Sequence, residues 1–231
     1  IAAKDWPGAL AALEAAPLDA ASADAIMAAA EKLAGRKALK QAVNLYARLY
    51  RSSSLSDPIR LAAFCGLVHA DTANAAALLP EGLRHASPIW RGTAARLASQ
   101  LPDKVLKKKG ANLMKSLQPE GRLALVNALA HAKKRAGAPL VRAAMGNEAD
   151  ADVRLAAISG IGTLGDAEDA PALIALLGHT DTAVADAARM SLIKLDDPDT
   201  DVRLTRALSK ASGDAATLTR LLGVVTFRKS P

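Results

Sequence analysis

The stretch Asp150-Ala151-Asp152-Val153-Arg154-Leu155-Ala156-Ala157-Ile158-Ser159-Gly160-Ile161-Gly162-Thr163-Leu164 decides the reading of this 231-residue chain. Val153, Ala156, Ala157, Ile161 and Leu164 fall at i, i+3, i+4, i+8 and i+11, which places them on one stripe of a helix. Asp150 and Asp152 stand just before that stripe, where a carboxylate accepts bonds from free backbone N–H groups and meets the positive end of the helix dipole. The stretch reads as an amphipathic helix started by its aspartates.

Versions of it recur on both sides: Pro58-Ile59-Arg60-Leu61-Ala62-Ala63, Ile89-Trp90-Arg91-Gly92-Thr93-Ala94, Glu120-Gly121-Arg122-Leu123-Ala124-Leu125 and Ala183-Val184-Ala185-Asp186-Ala187-Ala188. The shared arginine stands at 60, 91, 122 and 154, giving steps of 31, 31 and 32 residues, and Val153 to Val184 is a further 31. Self-similarity at such a period signals stacked helical hairpins, none able to bury its apolar face alone.

On these residues, the repeated segment resembles the second helix of a HEAT repeat, in a short form similar to the HEAT-like repeats of phycobilisome lyases. HEAT and armadillo units usually run about 40 to 47 residues, and the shorter step fits the compact bacterial-type subclass. Residues 55–200 carry the resemblance, through an Asp, then Val-Arg or Ile-Arg, then small apolar residues. Tetratricopeptide and ankyrin patterns fit this region worse, because neither Trp-Leu-Gly-Tyr nor Thr-Pro-Leu-His appears. The resemblance implies an all-α fold, an α-α superhelix: a right-handed solenoid of antiparallel helical hairpins. It also implies that the repeated arginine, with the preceding aspartate, links neighbouring units, a part that Asp57 and Asp150 would play.

Composition agrees with an all-helical array. Half the chain is apolar but only 3% aromatic, so the core is built mostly of Ala and Leu, which suits closely approaching helices. No run of about 18 uncharged apolar residues interrupts this pattern. Cys65 is the only cysteine, which excludes a disulfide framework within the chain, and its neighbours Phe64 and Leu67 mark an apolar helix face that would bury it as an inert thiol. The first residue is Ile1 rather than Met, so the native start is expected upstream, with a signal peptide or further domain possible there. A cytoplasmic location is the expectation.

Three regions follow from the punctuation. Residues 1–54 read as N-terminal helical hairpins capping the array, with a short helix ending near Pro17 and two more over 22–33 and 38–50 joined across Gly35. Residues 55–200 read as HEAT-like repeats of about 31 residues, starting after Ser52-Ser53-Ser54-Leu55-Ser56 with Asp57-Pro58. Helices are expected over 58–70, 73–85, 88–100, 103–117, 119–133, 137–145, 150–164, 169–178 and 181–195. Residues 201–231 read as C-terminal capping helices and a frayed tail from Phe227.

Two features are candidates for partner binding. The ladder Arg60, Arg91, Arg122 and Arg154 should form a row along the second helices, either as junction bonds to carboxylate and carbonyl oxygens or as an anion-binding groove. The second feature is charge. Residues 104–142 hold ten basic and one acidic residue, whereas 148–201 hold twelve acidic and three basic. Lys107, Lys108 and Lys109 open a first helix and Lys133, Lys134 and Arg135 close the following second helix, so both clusters should share one edge. The acidic run is explained by helix starts at Asp150, Asp152, Asp166, Asp169 and Asp181.

Other motifs carry no chemistry. Gly160-Ile161-Gly162-Thr163-Leu164-Gly165 matches a dinucleotide fingerprint but ends a helix instead of opening one, and Gly165 reads as its C-terminal cap. His69, His85, His131 and His179 lack ligand spacing, and no catalytic residue, cofactor site or metal site is expected. The leading functional reading is a non-enzymatic scaffold that binds another protein through its elongated helical surface. The alternative is a nucleic-acid-binding protein of the DNA alkylation-repair type using the basic edge, for which only Trp90 beside Arg91 offers an aromatic in a basic stretch.

Overall fold

The computed structural model describes residues 6–72, 74–147, 149–210 and 215–229. Among them the secondary structure is helical throughout: α1 (Trp6–Ala15), α2 (Ala20–Gly35), α3 (Leu39–Arg51), α4 (Asp57–Ala70), α5 (Ala75–Leu83), α6 (Pro88–Ser99), α7 (Asp103–Lys115), α8 (Pro119–His131), α9 (Ala138–Asn147), α10 (Ala151–Leu164), α11 (Ala170–Leu176), α12 (Thr182–Lys194), α13 (Asp199–Lys210) and α14 (Ala215–Lys229). Short 3-10 turns, Arg135–Gly137 and Ala167–Asp169, lead into α9 and α11. No described helix is long and apolar enough to cross a membrane. The chain divides into two compact units, residues 1–79 and 80–231.

In the first unit α3 packs on α2 and α4 around Ile26, Leu45, Leu49 and Phe64, all fully buried. The Tyr46 ring lies directly over Gly66, in space that a side chain at 66 would need, so a glycine in α4 lets an aromatic of α3 settle against the backbone. Burial, with Glu31 nearby, pushes the Tyr46 phenol above its ordinary range. Tyr50 and Phe64 meet at 5.6 Å between α3 and α4. Asp19 and Ser22 form a reciprocal capping box that starts α2.

In the second unit the helices fall into two rows. α6, α8, α10 and α12 pack each on the next, and α12 continues onto α14. On the other side α9 packs on α10, and α11 on α12 and α13. Leu97, Leu125, Leu129, Ile158 and Ile161 are buried between the rows, each contributing about 2 kcal/mol by removal from water. Proline in the first turn starts α6 and α8, while Asp150 and Asp181 cap α10 and α12 by accepting from backbone N–H groups.

The glycines of the rejected fingerprint are packing residues. A Cβ on Gly162 would sit 2.7 Å from the Ser191 Cα, and Ser191 Oγ donates to the Ile158 carbonyl at 2.8 Å, so α10 and α12 touch backbone to backbone here. Gly165 does end α10, but with φ −78° and ψ −177° it is extended and not left-handed. A Cβ there would meet the Asp169 carboxylate at 2.5 Å and the Ile161 carbonyl at 2.6 Å, so close approach is what selects glycine.

Left-handed backbone occurs instead at two lysines, Lys37 (φ 62°) and Lys133 (φ 50°). Both follow the same pattern. Lys37 N–H bonds the Ala34 carbonyl and Ala38 N–H the Leu33 carbonyl, as Lys133 N–H bonds Ala130 and Lys134 N–H bonds Leu129. These are Schellman turns, where glycine is the usual occupant of the left-handed position. The turn after α2 therefore pivots at Lys37, with Gly35 still helical.

Two expected helices differ in extent. The segment over 169–178 shortens to α11, because Asp166 and Asp169 cap a 3-10 turn ahead of it. The tail expected to fray from Phe227 is helical to Lys229, held by Arg228, whose guanidinium pairs with Asp201 at 2.6 Å and donates to the carbonyls of Leu192, Ile193 and Leu195. Residues 230 and 231 of that expectation lie outside the described residues.

Candidate functional site

One edge of the second unit is formed where each second helix turns into the next first helix. At its basic end, Asp103 at the start of α7 meets Lys134 in the turn after α8, with Nζ 2.6 Å from Oδ1. This bond carries the expectation that the two lysine clusters share an edge. The Lys134 hydrogen bond, with Lys107 adding positive field, holds the Asp103 carboxyl below the ordinary carboxylate range. Lys104, Lys107, Lys108, Lys109, Lys133 and Arg135 are all exposed. Among the described residues none of them forms an ion pair.

The acidic turns are arranged differently. Arg142 of α9 clamps Asp169 with Nε at 2.5 Å and Nη2 at 2.9 Å, and reaches Asp166 at 3.0 Å. Asp169 is 4% exposed, and its bond to Arg142 raises the guanidinium pKa further. Glu168 pairs with Arg203, Asp201 with Arg228, and Asp197 accepts from the Ala167 N–H at 3.2 Å and the Asp199 N–H at 3.0 Å. These carboxylates join successive turns and cap helix starts.

The arginine ladder is engaged locally. Arg60, within the first unit, donates to the Tyr50 carbonyl at 3.2 Å and pairs with Asp57 at 3.3 Å. In the second unit Arg91 donates to the carbonyls of His85 and Ala86 at 2.8 and 2.6 Å, and Arg154 Nη2 lies 3.0 Å from His179 Nε2 in the next hairpin. Asp150 caps α10, with Oδ1 accepting from the Asp152 and Val153 N–H groups. Arg122 is half-buried in the first turn of α8.

Arginines outside the ladder do related work that the repeat pattern does not announce. Arg48 bonds the carbonyls of Leu13 and Ala16, Arg84 that of Ser116 at 2.8 Å, and Arg220 that of Leu177 at 2.9 Å, each closing the C-terminal end of another helix. The histidines also have a repeat logic. His85 and His179 each accept, through Nδ1, the N–H of the residue that caps the following helix, Ser87 at 3.1 Å and Asp181 at 3.0 Å. They stand 94 residues apart, three repeat steps, which was the available signal.

A groove of about 660 Å³ opens between α6 and α8. Gly92, Ala124, Ala128 and Ala132 give it small side chains, and Arg96, Gln100, Asn127 and His131 add polar ones. Trp90 is 3% exposed and stacked on His85 at 4.6 Å, so it faces the core. Cys65 is half-buried. Among the described residues no three His, Cys, Asp or Glu side chains stand together as a metal-binding group.

Residues 110–193 match the family model for HEAT repeats, a span that runs from α7 through α12. No curated protein matches the chain. Among solved structures it is similar to a chain in the complex of CpcE and CpcF of phycocyanin lyase from Nostoc sp. PCC7120, at 16% identity and a TM-score of 0.41, covering 95% of this chain and 93% of that one. Residues 110–193, with paired helices stacked at a 31-residue step, carry HEAT repeats.

Proposed function

We propose that this repeat scaffold is non-enzymatic and binds another protein, with the basic edge at Lys107, Lys108, Lys109, Lys133, Lys134 and Arg135 as its principal contact. The observation that carries this reading is the contrast in how charge is used. Asp150, Asp166, Glu168, Asp169, Asp181, Asp197 and Asp201 of the acidic stretch are engaged in caps and ion pairs, while the cations of one edge, Lys134 excepted, stand exposed without carboxylate partners. Cations that stabilise nothing internally are available for electrostatic complementarity with a partner. Arg60, Arg91 and Arg154 serve mainly as junction bonds, and Arg122 occupies the equivalent half-buried place.

Nucleic-acid binding is the weaker reading, because the single aromatic of the basic stretch, Trp90, is buried and offers no face for a base. The test is a purification of partners with the full chain and with a variant carrying Lys107→Glu, Lys108→Glu, Lys133→Glu and Arg135→Glu. One defined protein should co-purify with the parent and be lost from the variant, while neither binds duplex DNA at an ionic strength of about 0.15 M. Duplex binding with a steep salt slope, abolished in the variant, would replace this reading with the nucleic-acid one.

A further inference from the structure

We infer that the groove between α6 and α8 receives an α-helix of the partner whose exposed face is acidic. This rests on the protein-binding reading and names the chemistry that the site selects. The groove runs from Gly92 to Gln100 along α6 and from Ala124 to Ala132 along α8. Eight residues at 1.5 Å make about 12 Å, the length of two helical turns. Its small residues, Gly92, Ala124 and Ala128, admit close approach, and nothing lies within 4 Å of a Cβ built on Gly92. A ridge of side chains spaced at i and i+4 fits between two such helices.

Backbone chemistry separates a helix from an extended segment. Walls made of helices have their N–H and C=O groups engaged with each other, so a strand laid there would leave its own polar groups unmatched. A helix arrives with its backbone satisfied and offers only side chains. Charge then selects the sign. Arg96 and His131 border the groove, no carboxylate among the described residues lines it, and Ala132 at its end is followed in the chain by Lys133, Lys134 and Arg135. Through the Asp103–Lys134 pair, Lys107 joins the same positive end. Apolar contacts along the alanines with carboxylates reaching those cations describe one amphipathic helix.

The test uses the full chain and two labelled peptides, one of Leu, Ala and Glu with Leu at i and i+4 on one face, the other with Lys replacing every Glu. Fluorescence anisotropy should show saturable binding of the acidic peptide only. Binding should weaken at least about tenfold, a change of about 1.4 kcal/mol, both in Ala128→Trp, which fills the groove, and in Lys133→Glu with Arg135→Glu. Should Ala128→Trp lower the unfolding midpoint, exposed Asn127→Glu serves in its place, with the same loss expected. Unchanged affinity in the groove variants, equal binding of the Lys peptide, or no saturable binding overturns the inference. If the co-purified protein depends on the lysines and not on Ala128, the groove assignment falls while the protein-binding reading stands. If no protein co-purifies, the failure lies in that reading.

Discussion

Segments 104–142 and 148–201 carry nearly mirror-image charge, ten basic to one acidic against twelve acidic to three basic, and the two use it differently. In the acidic segment most of the described side chains are committed: Asp150 and Asp181 cap helices, Asp166 and Asp169 hold Arg142, and Glu168 holds Arg203. In the basic segment Arg142 belongs to that same network, and Lys134 reaches Asp103, while Lys104, Lys107, Lys108, Lys133 and Arg135 point to water. Net charge alone would rank the two segments as equal candidates for a binding surface. Partner by partner, one is a set of structural joints and the other a free field.

The largest single-residue effect expected from breaking this contrast is at Asp169. Asp169→Ala removes both acceptors of the Arg142 clamp, one of which, Oδ2, also accepts from the Asp166 N–H. Loss of a buried partner typically costs 3–5 kcal/mol, and because the Arg142 side chain keeps 35% exposure the expectation is about 2–3 kcal/mol, read by denaturant unfolding. Lys133→Gly should act in the opposite direction. A left-handed L-residue costs about 1–2 kcal/mol, and the greater freedom of glycine when unfolded offsets part of it, leaving a gain of about 1 kcal/mol. Lys37→Gly is the matched control in the first unit, with the same gain expected. If Lys133→Gly stabilises the fold and weakens partner binding, the lysine is retained for its cation.

The smallest effect concerns pH. The Asp103 carboxyl lies below its ordinary value of 3.8 in the folded chain. A depressed carboxylate contributes stability that is present above the unfolded value and lost as pH falls through the folded one. The difference in unfolding midpoint between the parent and Asp103→Asn should therefore be constant at neutral pH, begin to shrink as pH falls to about 4, and vanish only below the depressed folded value, where both carry an uncharged side chain at 103.

Most of the array was legible in sequence because its apolar stripes, proline starts and aspartate caps are local features. Val153, Ile161 and Leu164 fall on the buried face as their spacing requires. The edge shared by the lysine clusters was legible too, since antiparallel neighbours bring the start of one helix to the end of the next. What escaped depends on side chains reaching across the fold. Arg142 meets Asp169 across 27 residues and Arg228 reaches carbonyls 33 to 36 residues back. No periodic signal marks those reaches, as a guanidinium on a long stem finds carbonyls wherever a helix ends. The Schellman turns at Lys37 and Lys133 were hidden for another reason, because the left-handed position is occupied by lysine where glycine would have announced it. The groove between α6 and α8 depends on which small residues the packing leaves uncovered.

The most direct measurement compares two neutralised proteins by denaturant unfolding. One carries Lys107→Gln, Lys108→Gln, Lys133→Gln and Arg135→Gln, the other Asp166→Asn, Glu168→Gln, Asp169→Asn and Asp197→Asn. Exposed charges without partners are worth little to the fold, so the first should stay within about 0.5 kcal/mol of the parent, while loss of caps and ion pairs should cost the second about 4 kcal/mol. Equal losses in the two proteins would contradict the division into a free basic edge and a structural acidic one.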